Sequence, residues 1–380
     1  MKIAYVTTYD PTDVNKWSGT GRYAADSLER AGLEVEYVGP LEFREPFEVK
    51  VRRLVHTRLF HQSYDPERHP AVARNYARQV DQKLKQSQAE CVLSLSSIPI
   101  AHCQATQPIA FWTDATFAGL VELYPGYDND SKETIRNGNA LEQAALDRCS
   151  LAIYASDWAA QTAIAHYKVD PRKLRVVPFG PNRAEGNGAA EVEESIQRRP
   201  ASPCRLLFLG VDWERKGGPL ALEVARILVQ QGLPTELHIA GCDPPLNLTP
   251  SYVVRHGFID KRNPAGAAKI DALLSATHFL LVPSRAECFG LVFVEASSMG
   301  VPSLATEVGG VPTAVRNGRN GRLFSLTAPA LEYANYIIDM MADVETYRRL
   351  AHSSYAEYSE NLTWKRAATE VQNLLASITP

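Results

Sequence analysis

The sequence lacks most of the features that would narrow its class at once. Its six cysteines (Cys91, Cys103, Cys149, Cys204, Cys242, Cys288) are scattered through 380 residues, and none stands in a Cys-x-x-Cys pair. That argues against a disulfide frame and the usual zinc spacings, and for reduced thiols in a cytoplasmic chain. Long hydrophobic runs are missing too. The longest is five residues, Leu151 to Ala155, where a bilayer span needs roughly 20. The first ten residues carry one charge and four apolar residues before turning polar, which suits a buried strand better than a signal segment. Net charge is nearly absent: 40 Lys+Arg stand against 43 Asp+Glu, for a formal −3. Wholesale binding of nucleic acid is therefore not expected. With 23 Gly and 24 Pro, collagen-like or low-complexity character is also out.

What is present is an alternation. Short apolar runs (Ile3–Thr7, Val35–Val38, Cys91–Leu95, Ile109–Trp112, Leu151–Tyr154, Arg175–Val177) are separated by loops and stretches of helical period. A Gly-, Glu-, Ala- and Arg-rich break follows Pro178-Phe179-Gly180-Pro181, and a second alternation starts at Leu206–Leu209. It continues through Glu236–Ala240, Phe279–Val282 and Ser303–Ala305. Between the first two of these, Leu220, Val224, Ile227 and Leu228 recur on one helical face. The pattern predicts an α/β chain of two doubly wound, parallel-sheet, Rossmann-like domains facing across a crevice. One domain takes residues 1–180, the other 181–361.

The densest chemistry lies in Pro283-Ser284-Arg285-Ala286-Glu287-Cys288-Phe289-Gly290-Leu291-Val292-Phe293-Val294-Glu295-Ala296, between a buried strand and a helix. Backbone N–H groups at the helix start, about Phe289 to Val292, suit an anion, and Gly290 permits close approach. Glu287 in the loop and Glu295 a turn into the helix could each accept hydrogen bonds from hydroxyls at opposite ends of a phosphate-linked ligand. A nucleoside diphosphate sugar has that layout. The competing reading makes Glu287 a helix cap and Glu295 a solvated face residue. Arg215-Lys216, in a second strand-to-helix loop, would neutralise phosphate, or else form an ordinary solvated turn. Gly309-Gly310 could bring further backbone amides to a phosphate.

Glu287 and Glu295 stand in the E-x7-E pattern, and with Arg215-Lys216-Gly217, Gly309-Gly310, Asn320-Gly321 and the last helix after Trp364 the chain resembles the retaining glycosyltransferases of family 4. The resemblance implies the GT-B fold, a metal-independent reaction and no cofactor beyond a UDP- or GDP-linked sugar donor. It implies that Glu287 contacts the donor hexose and Glu295 the ribose. Phe289, Gly290 and Leu291 would hold sugar and diphosphate, with Arg215 and Lys216 balancing the leaving group. Phe258 and Ile259 would lie at the base. It also implies that residues 362–380 return to the first domain. The chain departs from the pattern at Val211, where many members have Arg, and at Thr313, where Glu is common.

In the first domain, Trp17-Ser18-Gly19-Thr20-Gly21-Arg22 resembles the family's Gly-rich loop, so Gly19 and Gly21 join the candidate donor site. The same glycines form a degenerate dinucleotide fingerprint, but Gly19 lies too far beyond the strand for the required tight turn. Asp114, at a strand end, is the candidate polar group near the reacting sugar, or else a helix cap. Asp128-Asn129-Asp130 matches a metal-binding D-x-D only formally and reads as a turn. From Arg44 to Lys85 there are ten Lys/Arg and five Asp/Glu. Within this stretch Val51, Leu54, Val55 and Leu59 with Arg52, Arg53 and Arg58 could form a basic amphipathic helix lying on a membrane, or else an ordinary solvated face or a wall of the acceptor site.

The expectation is thus a retaining hexosyltransferase acting on a carbohydrate, lipid-linked or small-molecule acceptor. An epimerase or hydrolase of the same fold, and a non-catalytic sugar-nucleotide-binding subunit, are the alternatives.

Overall fold

The computed structural model describes residues 1–183, 188–245 and 249–379. They divide into two compact units, Met1–Phe179 with Trp364–Pro380, and Gly180–Thr363.

The first unit is built on six strands: β1 (Lys2–Val6), β2 (Glu34–Val38), β3 (Cys91–Ser94), β4 (Ile109–Thr113), β5 (Leu151–Tyr154) and β6 (Leu174–Val176). They pair in parallel in the order β2-β1-β3-β4-β5-β6. Strands β3 and β5 are buried at every residue, as strands covered on both faces must be. The helices of this unit are α1 (Thr20–Arg30), α2 (Phe47–Arg58), α3 (Pro70–Leu84), α4 (Phe117–Leu123), α5 (Lys132–Arg148) and α6 (Asp157–His166). Local chemistry starts several of them: Thr116, Ser131 and Ser156 each accept a backbone N–H of the first turn of α4, α5 and α6. The last helix, Trp364–Ile378, belongs here too. Trp364 stacks on Phe179 and meets Trp112 edge-on.

The second unit repeats the plan with β7 (Cys204–Leu209), β8 (Thr235–Ala240), β9 (Val253–Gly257), β10 (Phe279–Val282), β11 (Ser303–Thr306) and β12 (Gly321–Phe324). All pairs are parallel, in the order β12-β11-β10-β7-β8-β9. Its helices are α7 (Ala189–Arg198), α8 (Gly218–Gln230), α9 (Pro264–Ala276), α10 (Leu291–Ser297), α11 (Val311–Ala314), α12 (Ala330–Ala342) and α13 (Val344–Asn361), which makes Trp364–Ile378 α14. Helix α8 buries Ala221, Val224, Ala225 and Leu228; Leu220 and Ile227 of the expected face are only half-buried. Two strands escaped the sequence reading, β9 and β12. The Asn-Gly steps at 317–321 form a turn that leads directly into β12, which pairs in parallel with β11.

No described helix is long and apolar enough to cross a membrane.

Candidate functional site

In an open parallel sheet, ligands bind outside the carboxyl ends of the strands, where the strand order reverses. In the second unit that place is the neighbouring pair β7 and β10. The loop after β7 carries Arg215 and Lys216, and the loop after β10 carries Glu287, so topology brings together side chains about 70 positions apart. Backbone bonds lock the loops to each other. The Arg285 N–H donates to the Arg215 carbonyl at 2.7 Å, and Arg215 Nη1 donates to the Ala286 carbonyl at 3.0 Å. Between them Gly217 adopts φ +77°, and a Cβ there would lie 2.0 Å from the Pro283 carbonyl oxygen, so only glycine fits.

The Lys216 ammonium donates to Glu287 Oε2, and Arg215 Nη1 stands 3.7 Å from the same oxygen. The Lys216 and Glu287 side chains are each 12% exposed. Asp212 steadies the turn by accepting the Arg215 backbone N–H at 3.0 Å and lying 3.4 Å from its guanidinium. Arg215 and Lys216 are thus neither a solvated turn nor a chance pair, and Glu287 is not a helix cap. That place is taken by Gly290 at φ +91°. Two largely covered cations, Arg215 and Lys216, thus meet two carboxylates, Glu287 and Asp212, at the strand ends, a paired cluster whose cations offer an incoming diphosphate charge-assisted hydrogen bonds.

Glu295 lies one turn into α10 and is buried, so the solvated-face reading fails. Its Oε2 accepts a hydrogen bond at 2.6 Å from Lys261, which lies between β9 and α9. The sequence reading missed Lys261. Its only signal was proximity to the Phe258-Ile259 segment, where Phe258 proves exposed and Ile259 half-buried. Phe289 is buried and Leu291 half-buried at the start of α10. That helix has seven residues, so the charge that would hold an anion comes mainly from Arg215 and Lys216. One expected contribution needs correction. The Gly310 N–H is already donated to the Glu287 carbonyl at 3.1 Å, so this glycine ties the β11–α11 loop to Glu287 instead of offering its amide to phosphate. Gly309 beside it has φ +52°.

In the first unit, Asp114 follows β4, and its Oδ2 accepts Trp17 Nε1–H at 3.3 Å. Thr116 caps α4, so Asp114 is not the cap. The Trp17 ring meets Phe179 edge-on, and Trp17, Ser18 and Gly19 all have left-handed φ (46°, 54° and 86°). Three such residues in a row stiffen the loop leading into α1, with Gly19 as N-cap. Gly21 has a packing reason. A Cβ would meet the Tyr9 hydroxyl at 2.7 Å, and the Gly21 carbonyl accepts the Tyr5 hydroxyl at 2.7 Å. Burial, with the charge of Asp114 added, raises the Tyr9 phenol well above its usual range. Among the described residues no three His, Cys, Asp or Glu side chains come together as a metal-binding group.

Comparison with known proteins adds the following. The family model for glycosyl transferases group 1 matches residues 203–343. D-inositol 3-phosphate glycosyltransferase of Corynebacterium efficiens is 28% identical over 283 residues, 70% of this chain and 65% of that protein. The Streptomyces scabiei protein of the same name is 30% identical over 223 residues, 54% and 49% of the two chains. The chain therefore spans from just under half to just under two thirds of the length of these relatives. Among solved structures, sucrose-phosphate synthase from Thermosynechococcus elongatus superposes with TM-score 0.69 at 18% identity, over 99% of this chain and 98% of that one. WaaG, a glycosyltransferase involved in lipopolysaccharide biosynthesis, gives 0.64 at 16% identity over 100% of both. HepE of Anabaena, solved with UDP and glucose, gives 0.62 at 16% over 99% of both. Residues 203–343 are thus similar to the glycosyl transferases group 1 family, in a chain that shares the GT-B fold of these solved structures.

Proposed function

We propose that the protein is a retaining glycosyltransferase that moves a hexose from a nucleoside diphosphate sugar to an acceptor hydroxyl without a metal ion. The observation that carries this reading is the meeting of Arg215, Lys216 and Glu287 at the β7/β10 strand ends. On this reading the two cations receive the donor diphosphate, a dianion that would otherwise need a divalent ion. The Glu287 carboxylate, oriented by Lys216, accepts a hydroxyl of the hexose. Glu295 accepts a ribose hydroxyl, with the base lying toward Phe258 and Ile259.

In the reaction the bond between the hexose C1 and the diphosphate oxygen breaks, and its electron pair leaves with the nucleoside diphosphate. Arg215 and Lys216 stabilise that developing charge more strongly than the ground state, which is how a fixed electrostatic site lowers a barrier. The acceptor oxygen bonds to C1 on the face the diphosphate leaves, and its proton passes to a diphosphate oxygen. Asp114, held by Trp17, is assigned a polar contact with the reacting sugar. The test is incubation with UDP-, GDP- and ADP-hexoses plus candidate polyol and sugar acceptors in excess EDTA, with the product anomer read by proton NMR. Turnover with retained configuration supports the proposal. A product of inverted configuration, or no nucleotide release from any donor, ends it.

A further inference from the structure

Fifteen large hydrophobic side chains are exposed among the described residues, and seven of them fall within Phe43 to Phe60. They are Phe43, Phe47, Val51, Leu54, Val55, Leu59 and Phe60, on and beside α2. Chance scatter leaves exposed apolar residues singly; a cluster of this size marks a surface that another phase or molecule covers.

The helix geometry is specific. At 100° per residue, Phe47, Val51, Leu54 and Val55 fall within an arc of about 100°, and Arg58 projects inside the same arc. Val49, the buried residue of α2, and His56 lie on the opposite side. The inner side is fastened. His56 stacks on Tyr64 with ring centroids 5.2 Å apart, and Arg52 donates to both oxygens of Glu133 at 3.0 and 3.1 Å. The apolar stripe therefore faces away from the body of the unit, with Phe47 81% and Leu59 69% exposed. Fastening one side of a helix while turning the apolar side outward is the reverse of core packing.

Charge decides what covers it. The helix carries Lys50, Arg52, Arg53 and Arg58 against Glu48, in a chain whose total is negative. Arg52 and Arg53 are paired, with Glu133 and Glu45, but Lys50 and Arg58 make no ion pair among the described residues. Lys50 and Arg53 flank one edge of the stripe and line an open groove with Leu54 and Thr57. A second copy of the chain would bring these cations against their own kind. An acidic, fluid, apolar-backed surface satisfies both the stripe and its cations.

We infer that α2, with Phe43, Leu59 and Phe60, docks on the surface of an anionic lipid bilayer. The helix lies in the headgroup plane, the aromatic and aliphatic side chains enter the acyl boundary, and Lys50 and Arg58 reach the lipid phosphates. This assignment stands apart from the donor site, since none of its residues belongs to the second unit.

The experiment is co-sedimentation of the full chain with phosphatidylglycerol-rich vesicles and with neutral phosphatidylcholine vesicles, at low and high salt. The protein is expected to pellet with the anionic vesicles and to be released by salt. Phe47→Ser with Leu54→Ser should weaken that binding about a hundredfold or more, the loss expected when two buried apolar side chains are removed. Lys50→Glu with Arg58→Glu should weaken it about thirtyfold or more. All four positions are exposed, so thermal unfolding of the variants should match the parent and separate lost docking from lost folding. Failure to bind anionic vesicles at low salt overturns the inference. So does equal binding to neutral vesicles that neither pair of substitutions reduces. Concentration-dependent self-association abolished by the serine pair, without vesicle binding, would assign the face to a second copy instead.

Discussion

Lys261 Nζ donates to Glu295 Oε2 at 2.6 Å, joining two elements 34 positions apart in the sequence. Glu295 is buried, and a buried carboxylate stripped of its partner is strongly destabilised. The bond engages one carboxylate oxygen, and in the proposed site the other accepts the ribose hydroxyl. Lys261 is thus a positioning residue for the ribose end of the proposed site. Lys261→Met should raise donor KM about tenfold with kcat little changed, the loss of one charge-assisted hydrogen bond. Lys261→Arg should recover most of it. Steady-state kinetics check this, and an unchanged KM in Lys261→Met would separate Lys261 from the donor.

Glu287→Ala should lower kcat by about 10²-fold, because in the proposed site the carboxylate meets the reacting hexose and not the nucleotide. Affinity for free UDP or GDP, measured by calorimetry, should stay within about threefold of the parent. A variant as active as the parent would remove Glu287 from the donor site.

Lys216→Ala acts on the other half of the pair. It removes a largely covered cation from the proposed diphosphate position and leaves Glu287 facing Arg215 alone. Nucleoside diphosphate binding should fall about tenfold or more, and nucleoside binding hardly at all. Comparing UDP with uridine, or GDP with guanosine, isolates the phosphate contribution.

Gly217→Ala tests the locking of the two loops. The methyl group would press on the Pro283 carbonyl in a left-handed conformation. The expected cost is about 1–3 kcal/mol from backbone strain, with more from the clash, read as a lowered Tm and weakened nucleotide binding. Gly232 also has positive φ, at +87°, but no atom within 4 Å of the would-be Cβ, so Gly232→Ala controls for strain without collision.

His278 supplies a pH dependence. Burial, helped by the nearby Arg199 and Arg205 charges, lowers the imidazole from 6.5 to about 4, although its bond to the Pro200 carbonyl opposes this. The native state then stays neutral where the unfolded chain takes up a proton. Its contribution to stability is complete above pH 6.5 and is lost as the pH falls toward 4. Between pH 7 and 5 the loss from this group is about 2 kcal/mol. Urea unfolding at the two pH values should show it, and His278→Gln should flatten the difference.

The sequence made the sheets legible wherever strands are buried on both faces, because β5 and β10 read as uninterrupted apolar runs. Strand β9 was missed because Val253–Gly257 is an edge strand that carries Arg255 and His256, and β12 because Gly321–Phe324 is a short edge strand interrupted by Arg322. Glu287, Glu295, Arg215 and Lys216 were visible as positions between strands and helices. Their pairing was not, since the ion pairs form through strand order and not through spacing. Lys261 shows this best: nothing near it in sequence hints at Glu295. The amphipathic pattern of α2 was readable too, but a period of 3.6 says only that a helix has two faces, not which one the body keeps.

The position of α14 carries a consequence for how the chain is made. Its Trp364 completes an aromatic cluster with Trp112 and Phe179, and its buried Ala367, Ala368, Val371 and Leu375 lie opposite α1. A growing chain would therefore display an unfinished first unit, tryptophan included, throughout synthesis of the roughly 180 residues that intervene. The second unit can close as soon as its own strands emerge, so it is expected to be the early-folding body. The first unit waits on the most distant contact in the molecule, and a ribosome stalled before residue 364 would present an apolar socket for chaperones to guard.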